Sequence, residues 1–490
     1  LYYKMSKRRQ RNLKSLSVPA ELRPMSSTDA QGSISVESMI LEPQSRTSNS
    51  ANATGIVKWK LPRAGIMQRD IRFLFRIVNI TGNEGLFAWA MNVGSLGCIE
   101  RAILSTSSGQ VLHDVDQSNF LSIIKQAAVP VSTLNNIDRA ELGCVNPFEF
   151  SASSTAATDG QLTIPASEYS NSGSGGKGIQ YSGFKTRINT NSQWSVPLHK
   201  IFPVLAEDTS FFPLYKLKEE LIIEIHKANK NDWLISSNAV DAANQVPVAL
   251  PANVEIDNER LAINIIHYPP KVLAGIEKNM LGKVYPFVDY ALVRKNFPAI
   301  AVDGNALGQQ IVRVGLQGRT LRNIYCVKNH PDKNAWFGSL YSSHMPKQTW
   351  NVKINDRLLF NTSVDNPARE YDLLEECDEE VKPQVSLPLY SNNHQLRNAL
   401  LCSNTLGIGN RSDLHGRQNI LGVDLKLIPN RDLIDGNGIA VGTANCEVLM
   451  DFNRIDAQDE DSNEITQCKF FFCYARAYSL GADGSLVTSY

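Results

Sequence analysis

The eight histidines are the side chains of this sequence best suited to acid–base chemistry or to binding a metal ion. No two of them stand at the HxH or HExxH spacing that brings two imidazoles to one metal ion. They are dispersed along the 490 residues as His113, His199, His226, His267, His330, His344, His394 and His415. A metal site assembled from distant residues stays open, but the sequence predicts no catalytic residue, no metal site and no cofactor.

A glycine-rich stretch, SGSGGKG at residues 172–178, invites comparison with a phosphate-binding loop. In such a loop a lysine is followed by Ser or Thr, and the loop joins a strand to a helix. Here Lys177 is followed by Gly178, the glycine spacing differs, and no strand-then-helix pattern flanks the stretch. We interpret it as a surface loop.

Asp459, Asp461 and Asn463 have the alternating spacing of the oxygen ligands in a calcium-binding loop. The sixth position of such a loop requires glycine, and Glu464 stands there. No glutamate follows at the twelfth position, where a bidentate ligand is needed. A solvated hairpin tip between two strands is therefore the better interpretation.

The beginning of the chain carries the one pattern that indicates a binding partner. Residues 26–54 are polar without a hydrophobic period, and six cations precede them with no acidic residue before Glu21. These cations are Lys4, Lys7, Arg8, Arg9, Arg11 and Lys14. Clustered cations suit phosphate, an anionic membrane face or an acidic neighbour. We interpret residues 1–54 as an extended arm, with a tail that binds nothing as the alternative.

Composition narrows the class of protein. Basic and acidic residues balance at 49 each, so the chain is a poor candidate for coating nucleic acid with its whole surface. Eight scattered cysteines without a CxxC pair predict reduced thiols. The first residues lack the apolar core of a signal peptide, and no apolar run approaches the roughly 20 residues of a membrane span. We expect folding in a compartment such as the cytoplasm or nucleus.

Period-two hydrophobic patterns dominate the first half of the chain. Val57, Trp59 and Leu61 alternate with lysines, and residues 71–77 alternate in the same way. Such alternation places one face of a strand on a core. Further strands are predicted at residues 99–104, 110–112, 221–225 and 261–265, and one short helix at residues 118–128.

A second set of strands follows the Pro269–Pro270 pair, which punctuates the chain. We predict strands at residues 284–293, 311–316, 321–327 and 350–354, with Asn355–Asp356 as a turn into residues 358–360. The last strands are at residues 423–427, 446–452 and 468–474. Two long polar stretches, residues 151–195 and 362–420, interrupt the two halves and are interpreted as loops.

The layout predicts an all-β chain with two tandem antiparallel sandwiches. The domains would be an N-terminal arm at residues 1–54, a first sandwich at 55–270 with loop 151–195, and a second at 283–490 with loop 362–420. The hydrophobic pattern does not give the strand order, so jelly-roll, immunoglobulin-like and other sandwiches remain open from the pattern alone.

Two segments resemble the double jelly-roll major capsid proteins of viruses. The first is GSLGCIERAILSTSSGQVLHDVDQSNFLSIIKQ at residues 94–126, which is similar to a strand, hairpin and short helix in the first jelly roll of that family. The second is WSVPLHKIFPVLAEDTSFFPLYKLKEELIIEIHK at residues 194–227, with Pro-Leu pairs at 197–198 and 213–214. Together they cover about 65 residues, and the nearest relatives in character are virophages, polinton-like viruses and, with a longer chain, adenovirus hexon.

The resemblance implies a double jelly roll of two eight-stranded jelly-roll sandwiches and a structural role. Homotrimers would be pseudo-hexameric and would tile an icosahedral shell, with penton and minor capsid proteins as further partners and the virion as location. The long loops would face outward. The arm with Lys4, Lys7, Arg8, Arg9, Arg11 and Lys14 would face inward, toward the genome, an inner membrane or neighbouring subunits.

Two other classes of protein remain as alternatives. A carbohydrate-binding or carbohydrate-active β-sandwich would carry aromatic clusters on exposed loops and, for hydrolysis, paired carboxylates. Support for it is thin, because loop 151–195 offers only Tyr169, Tyr181 and Trp194. A viral spike or receptor-binding protein is the third class, against which the basic arm argues.

Overall fold

A computed structural model of the chain describes its structure within residues 34–127, 187–206, 213–236, 253–296, 308–329, 348–377, 420–427, 437–452 and 467–489, apart from short gaps, and at residues 142 and 340. These residues form antiparallel sheets with a few helices. Among the helices described, none is long and apolar enough to cross a membrane.

The first half contains eight main strands. They are β1 (Ser35–Leu41), β3 (Ile56–Lys60), β5 (Arg72–Val78), β7 (Ile99–Thr106), β8 (Val111–Val115), β10 (Ser192–Pro197), β11 (Leu221–Lys227) and β13 (Glu255–His267). Sheet I has the order β1-β13-β5-β10, and sheet II has the order β3-β11-β7-β8. Counted along the chain, these orders are 1-8-3-6 and 2-7-4-5, the interleaved pattern of a jelly roll.

Five shorter strands complete the first half. They are β2 (Ser45–Arg46), β4 (Ile66–Met67), β6 (Phe87–Trp89), β9 (Arg187–Ile188) and β12 (Leu234–Ser236). The strand β2 extends sheet II beyond β3, and β4 pairs with β13. The other three form a small sheet with the order β12-β6-β9.

The second half repeats the first. Its eight main strands are β14 (Val284–Asn296), β15 (Gly308–Val314), β16 (Thr320–Asn329), β17 (Gln348–Ile354), β18 (Arg357–Leu358), β19 (Ile420–Asp424), β21 (Cys446–Phe452) and β22 (Gln467–Leu480). Sheet III has the order β14-β22-β16-β19, and sheet IV has the order β15-β21-β17-β18. Short strands β20 (Ile439–Ala440) and β23 (Leu486–Ser489) pair with β16 and β22. The orders are again 1-8-3-6 and 2-7-4-5, so the predicted double jelly roll is confirmed.

The predicted alternation accounts for most of these strands. In β5, Phe73, Phe75 and Ile77 are buried, while the residues between them are only partly buried. At the predicted turn after β17, Asn355 and Asp356 have φ values of 50° and 63°. Positive φ at both central positions is the requirement of a tight hairpin turn, and Asn and Asp tolerate it.

The structure differs from the sequence analysis in the region assigned to the arm. Residues 35–41 form β1, which pairs with β13 along its whole length, and Ala51 is buried. Most of β1 is exposed, with only Met39 and Leu41 partly buried. An edge strand of this kind is held by backbone hydrogen bonds, so its sequence needs no hydrophobic period. The first jelly roll therefore begins with β1.

Five α-helices are described, and one was predicted. They are α1 (Ser118–Ala127), α2 (Pro203–Ala206), α3 (Lys230–Trp233), α4 (Pro270–Met280) and α5 (Pro367–Glu376), with 3-10 turns at Gly94–Cys98 and Leu198–Lys200. Helix α1 confirms the prediction at residues 118–128. Helix α4 joins the halves and begins at Pro270, where a missing N–H costs nothing.

Helix α5 lies inside the stretch that we interpreted as an irregular loop. Its Leu374 packs so closely on β19 that a Cβ at Gly422 would lie 2.5 Å from the Leu374 Cδ1 atom. The apolar side of α5 is short and surrounded by acidic residues, so the composition of the region concealed it.

A fully buried ion pair of the first jelly roll binds the segment at and just after β2. Lys227 Nζ lies 2.6 Å from Glu259 Oε1, and neither side chain is exposed. Lys227 also donates to the Ser48 carbonyl at 2.6 Å, and Arg46 Nε lies 3.0 Å from Glu259 Oε2. Buried charges are tolerated only when they are paired and hydrogen-bonded, so each group here requires the others.

We predict that Glu259→Gln lowers the free energy of unfolding by about 3–5 kcal/mol, because Lys227 then stays buried without a counter-charge. Asp257→Asn is a matched control on the same strand, since Asp257 pairs with Arg76 at the surface. Its effect should be several times smaller. Denaturant unfolding measures both, and equal effects would contradict a special role for the buried pair.

Candidate functional site: the junction between the two jelly rolls

Most of the sites considered from sequence lie outside the described residues. This holds for the basic residues Lys4, Lys7, Arg8, Arg9, Arg11 and Lys14, for residues 172–178, and for residues 459–464. It also holds for four of the eight histidines and for much of the two long loops. Among the described residues, no group of three or more His, Cys, Asp or Glu side chains could hold a metal ion.

One histidine belongs to a buried polar cluster at the junction of the two halves. His113 lies on β8, the edge strand of sheet II. The pairing of β8 with β7 shifts between Leu104 and Ser105, so that Leu112 is an extra residue in β8. A bulge of this kind re-aims side chains and leaves backbone groups unpaired at a sheet edge. The carbonyl groups of Val111 and Leu112 therefore need partners from elsewhere.

Arg476 of β22 supplies those partners. Its Nη1 donates to the Leu112 carbonyl at 2.7 Å, and its Nη2 donates to the Val111 carbonyl at 2.9 Å. Nη2 also donates to Thr488 Oγ1 at 3.2 Å. The planar guanidinium suits this task because it presents several donors in one fixed fork. One side chain of the second jelly roll thus closes the open edge of the first.

Asp289 of β14 is the acceptor at the centre of the cluster. Its Oδ2 accepts from Arg476 Nη1 at 2.9 Å and from the Tyr474 hydroxyl at 3.1 Å. Its Oδ1 accepts from the Tyr290 backbone N–H at 2.9 Å and lies 3.0 Å from His113 Nδ1. The side chain of Asp289 is only 5% exposed. Four bonding partners compensate the cost of burying its charge.

The tautomer of His113 is fixed by a second bond. The backbone N–H of Val204, in α2, donates to His113 Nε2 at 3.1 Å. Nε2 is therefore an acceptor, and Nδ1 carries the proton that is donated to Asp289. The ring also packs against Phe287, with the ring centroids 4.7 Å apart. Both nitrogens and one edge of the imidazole are occupied, which suits a structural role.

The ionisation of the cluster follows from these contacts. Burial opposes the charged form of Asp289, but the hydrogen bonds from His113 and Arg476 and the charge of Arg476 outweigh burial and hold its pKa below the ordinary value. Burial, reinforced by the charge of Asp289, raises the pKa of Tyr474 well above its usual range. Asp289 is thus a fixed anion and Tyr474 a fixed donor. The arrangement can hold two sheets together, and it offers no activated nucleophile.

Apolar packing surrounds the cluster and joins the halves. Nine consecutive residues of β22, Cys468 to Arg476, are buried, although a strand on one core buries only every second residue. One set, including Phe470 and Phe472, packs in the core of the second jelly roll. Phe471 points to the other side and packs in the core of the first. Strand β22 is therefore shared by both cores.

Helix α1 covers part of sheet III from outside. Lys469 Nζ lies 3.5 Å from the ring centroid of Phe120, and Lys125 Nζ lies 5.1 Å from that of Tyr290. Lys125 also donates to the carbonyl of Lys200 at 2.9 Å. Burial lowers the pKa of Lys125 to about 8. A helix of the first half and a sheet of the second thus share buried cation–aromatic contacts.

An open cleft of about 480 Å³ lies beside the cluster. Its lining combines groups of the two halves: Gln110, Val111, Asp114, Asp289, Tyr290, Tyr474, Arg476 and Thr488. The charges in its wall are already matched, because Asp289 binds Arg476 and Asp114 binds Arg101.

No protein-family model matches the chain, and no curated protein matches it in sequence. Solved structures do match its fold. PBCV-1 VP54, fitted into a reconstruction of the virophage Sputnik, matches with a TM-score of 0.56 and 10% identity over 94% of this chain and 97% of VP54. The mavirus major capsid protein matches with a TM-score of 0.51 and 11% identity over 92% and 90% of the two chains.

The Faustovirus major capsid protein matches with a TM-score of 0.51 and 10% identity, over 90% of each chain. At this level of identity the similarity establishes the fold. It extends over both jelly rolls, so the shared feature is the whole double jelly roll.

We predict that Asp289→Asn lowers the free energy of unfolding at pH 7 by about 3–5 kcal/mol, because Arg476 loses its buried counter-charge. The folded pKa of Asp289 is depressed, so its contribution is complete above the unfolded pKa of about 3.9. It is lost as the pH falls from there through the folded pKa. The variant should lack this acid-dependent loss, as measured by urea unfolding from pH 7 to pH 3. An unchanged pH slope would contradict the assignment.

Proposed function

We propose that this protein is a viral major capsid protein, which forms pseudo-hexameric homotrimers that tile an icosahedral shell. The observation that carries the proposal is the coverage of the structural similarity. It spans both jelly rolls and nearly the whole of the major capsid proteins of Faustovirus and mavirus, and of VP54 as fitted into the virophage Sputnik. In this role the protein acts by assembly, without catalysing a reaction, and its location is the virion.

The rigidity of the junction supports the proposal. Asp289, Arg476 and the shared strand β22 fix one jelly roll against the other. Two similar sandwiches at a fixed angle form a building block with two near-equivalent halves. Three such blocks around a threefold axis give six similar units, which fill a hexagonal lattice position with closed symmetry.

The sheet surfaces are suited to close packing without attracting polyanions. Cross-strand ion pairs neutralise them: Arg76 with Asp257 on sheet I, Arg101 with Asp114 on sheet II. Lys58 with Glu224 is a second pair on sheet II. Because the charges of these pairs cancel on the sheet surfaces, we assign the binding of anions to the basic arm.

Within this proposal the remaining parts of the chain have separate roles. The parts of loops 151–195 and 362–420 that lie outside β9, β10 and α5 would face outward, where their polar composition meets solvent. The chain before β1, with Lys4, Lys7, Arg8, Arg9, Arg11 and Lys14, would face the interior and meet genome, membrane or neighbouring subunits. Penton and minor capsid proteins would be further partners. The structural similarity gives no support to a carbohydrate-active or receptor-binding sandwich.

We predict that the purified protein is a trimer, with a mass in light scattering of three times that of one chain. Concentrated samples should show hexagonal arrays or shells in electron microscopy. The physical reason is that a chain with two fixed jelly rolls presents the same interfaces in every copy. A closed ring of three chains leaves none of these interfaces unpaired. A monomer at all concentrations, with no assembly, would contradict the proposed function.

A second prediction concerns the basic arm. Deleting residues 1–25 should leave the trimer folded, since β1 begins at Ser35. The same deletion should weaken shell assembly, most visibly at low salt, because each cation near an anionic surface contributes about 1 kcal/mol, many copies add, and salt screens the attraction. Replacing the six cations with Gln in the full chain separates charge from length. Normal assembly of both variants would show that the arm binds nothing.

A further inference from the structure

The helix that joins the two halves carries exposed lysines on one face. Along α4, Lys271, Ala274 and Lys278 are exposed. Val272 and Ile276, on the other side of the helix, are buried in an apolar cluster with residues of the first jelly roll. Residues three and four positions apart share one face of a helix, so both lysines lie on the solvent side of α4.

Two neighbouring segments add cations to this face. Lys216 Nζ lies 3.4 Å from Glu277 Oε2 of α4. The backbone N–H of Lys218 donates to the Gly484 carbonyl, in the turn between β22 and β23, at 2.9 Å. Lys283 is exposed shortly after the end of α4. These lysines form one region, which we call the α4 surface: Lys216, Lys218, Lys271, Lys278 and Lys283.

The α4 surface has more positive than negative charge. Among the described residues, Glu277 pairs with Lys216, and Asp483 and Glu219 are near Lys218. Five lysines thus face three carboxylates, whereas the ion pairs on the sheets match one cation with one anion. A net positive region of this kind attracts an anionic partner.

Two exposed valines lie beside these lysines. Val284 follows Lys283 and is 58% exposed, and Val487 of β23 is 52% exposed. Both are paired with Ser479 of β22, so they stand in one row across three strands and on the same face of the sheet. Exposed apolar side chains next to cations are typical of a surface that rests on a membrane.

The topology places the α4 surface at the end of the first jelly roll away from its long loop. Strand β10 begins after that loop and leads into the segment that holds Lys216 and Lys218. Strand β13 runs parallel to β10, because both pair antiparallel with β5, and its end leads into α4. With the long loop facing outward, the α4 surface faces the interior of the shell.

We propose that the α4 surface docks on an anionic lipid membrane, as an anion-binding region separate from the basic arm. Its lysines meet the charged headgroups, and Val284 and Val487 enter the boundary between headgroups and acyl chains. Nucleic acid fits less well, because single-strand binders add aromatic side chains that stack on bases, and the exposed apolar residues here are valines. The inference rests on the proposed function only for the direction in which the surface faces.

Vesicle co-sedimentation tests the lysines in a full chain whose six arm cations are replaced with Gln. This protein should bind vesicles of phosphatidylcholine with phosphatidylserine at low salt, and should bind phosphatidylcholine alone far less. Adding K271Q/K278Q should lower the partition coefficient about tenfold or more. The matched control R313Q/R357Q removes two exposed cations from sheet IV and should leave binding unchanged. Equal binding by the two variants would overturn the inference.

Substitution of the valines separates the apolar contribution from charge. V284S/V487S should weaken binding to the same vesicles, and this loss should persist at raised salt because apolar contacts are not screened. I311S is the control, since Ile311 is 39% exposed on sheet IV. Duplex DNA gives the opposing outcome: if K271Q/K278Q loses binding to DNA but keeps binding to vesicles, the partner is nucleic acid and the inference is wrong.

The failure of this inference and the failure of the proposed function can be told apart. All substituted side chains are exposed, so light scattering should show the same mass for each variant as for the unaltered chain. Trimers and shells without vesicle binding overturn the membrane contact and leave the proposed function standing. Vesicle binding through the α4 surface by a chain that never assembles supports the contact and overturns the proposed function.

Discussion

The buried carboxylate of Asp289 is the constraint on which the arrangement of the two jelly rolls depends. A charge that is removed from water must be matched from within the protein, and here the matching groups belong to both halves. His113 cannot reach Asp289 unless the bulge in β8 is in place. Arg476 cannot close the edge of β8 unless β22 lies beside β14. The cluster therefore selects one relative placement of the two sandwiches.

The two jelly rolls have the same topology, but their equivalent sheets are buried to different extents. Sheet III is central: α1 of the first half and α5 of the second pack on it, and β22 contributes side chains to two cores. Sheet I has the same strand order but keeps a more exposed outer side, with ion pairs such as Arg76–Asp257 among its strands. Fold and strand order are thus shared, whereas burial of the equivalent surfaces is not. Divergence between the halves lies in side chains at the edges of the sheets.

The hydrophobic pattern was sufficient to predict long strands such as β5 and β21. In these strands buried and exposed positions alternate, so hydrophobic residues recur at every second position of the sequence. It was insufficient for β1, whose backbone pairs while its side chains remain in solvent. It also failed for α5, which needs sheet III to bury its Leu374. The junction cluster could not be predicted, since His113 and Asp289 are 176 positions apart and Arg476 is 364 positions from Leu112. Only the folded topology brings such residues together.

The shared strand β22 has a consequence for biosynthesis. It follows every other long strand in the chain, yet it lies in the interior of sheet III and supplies apolar side chains to both cores. A ribosome-bound chain that lacks residues 467–480 therefore carries an uncapped β8 edge and two incomplete cores. Such non-local pairing is slow, and exposed edges and apolar surface favour aggregation of nascent chains. Completion of both cores must therefore wait for this strand, so the growing chain keeps apolar surface exposed until nearly all of it has been synthesised.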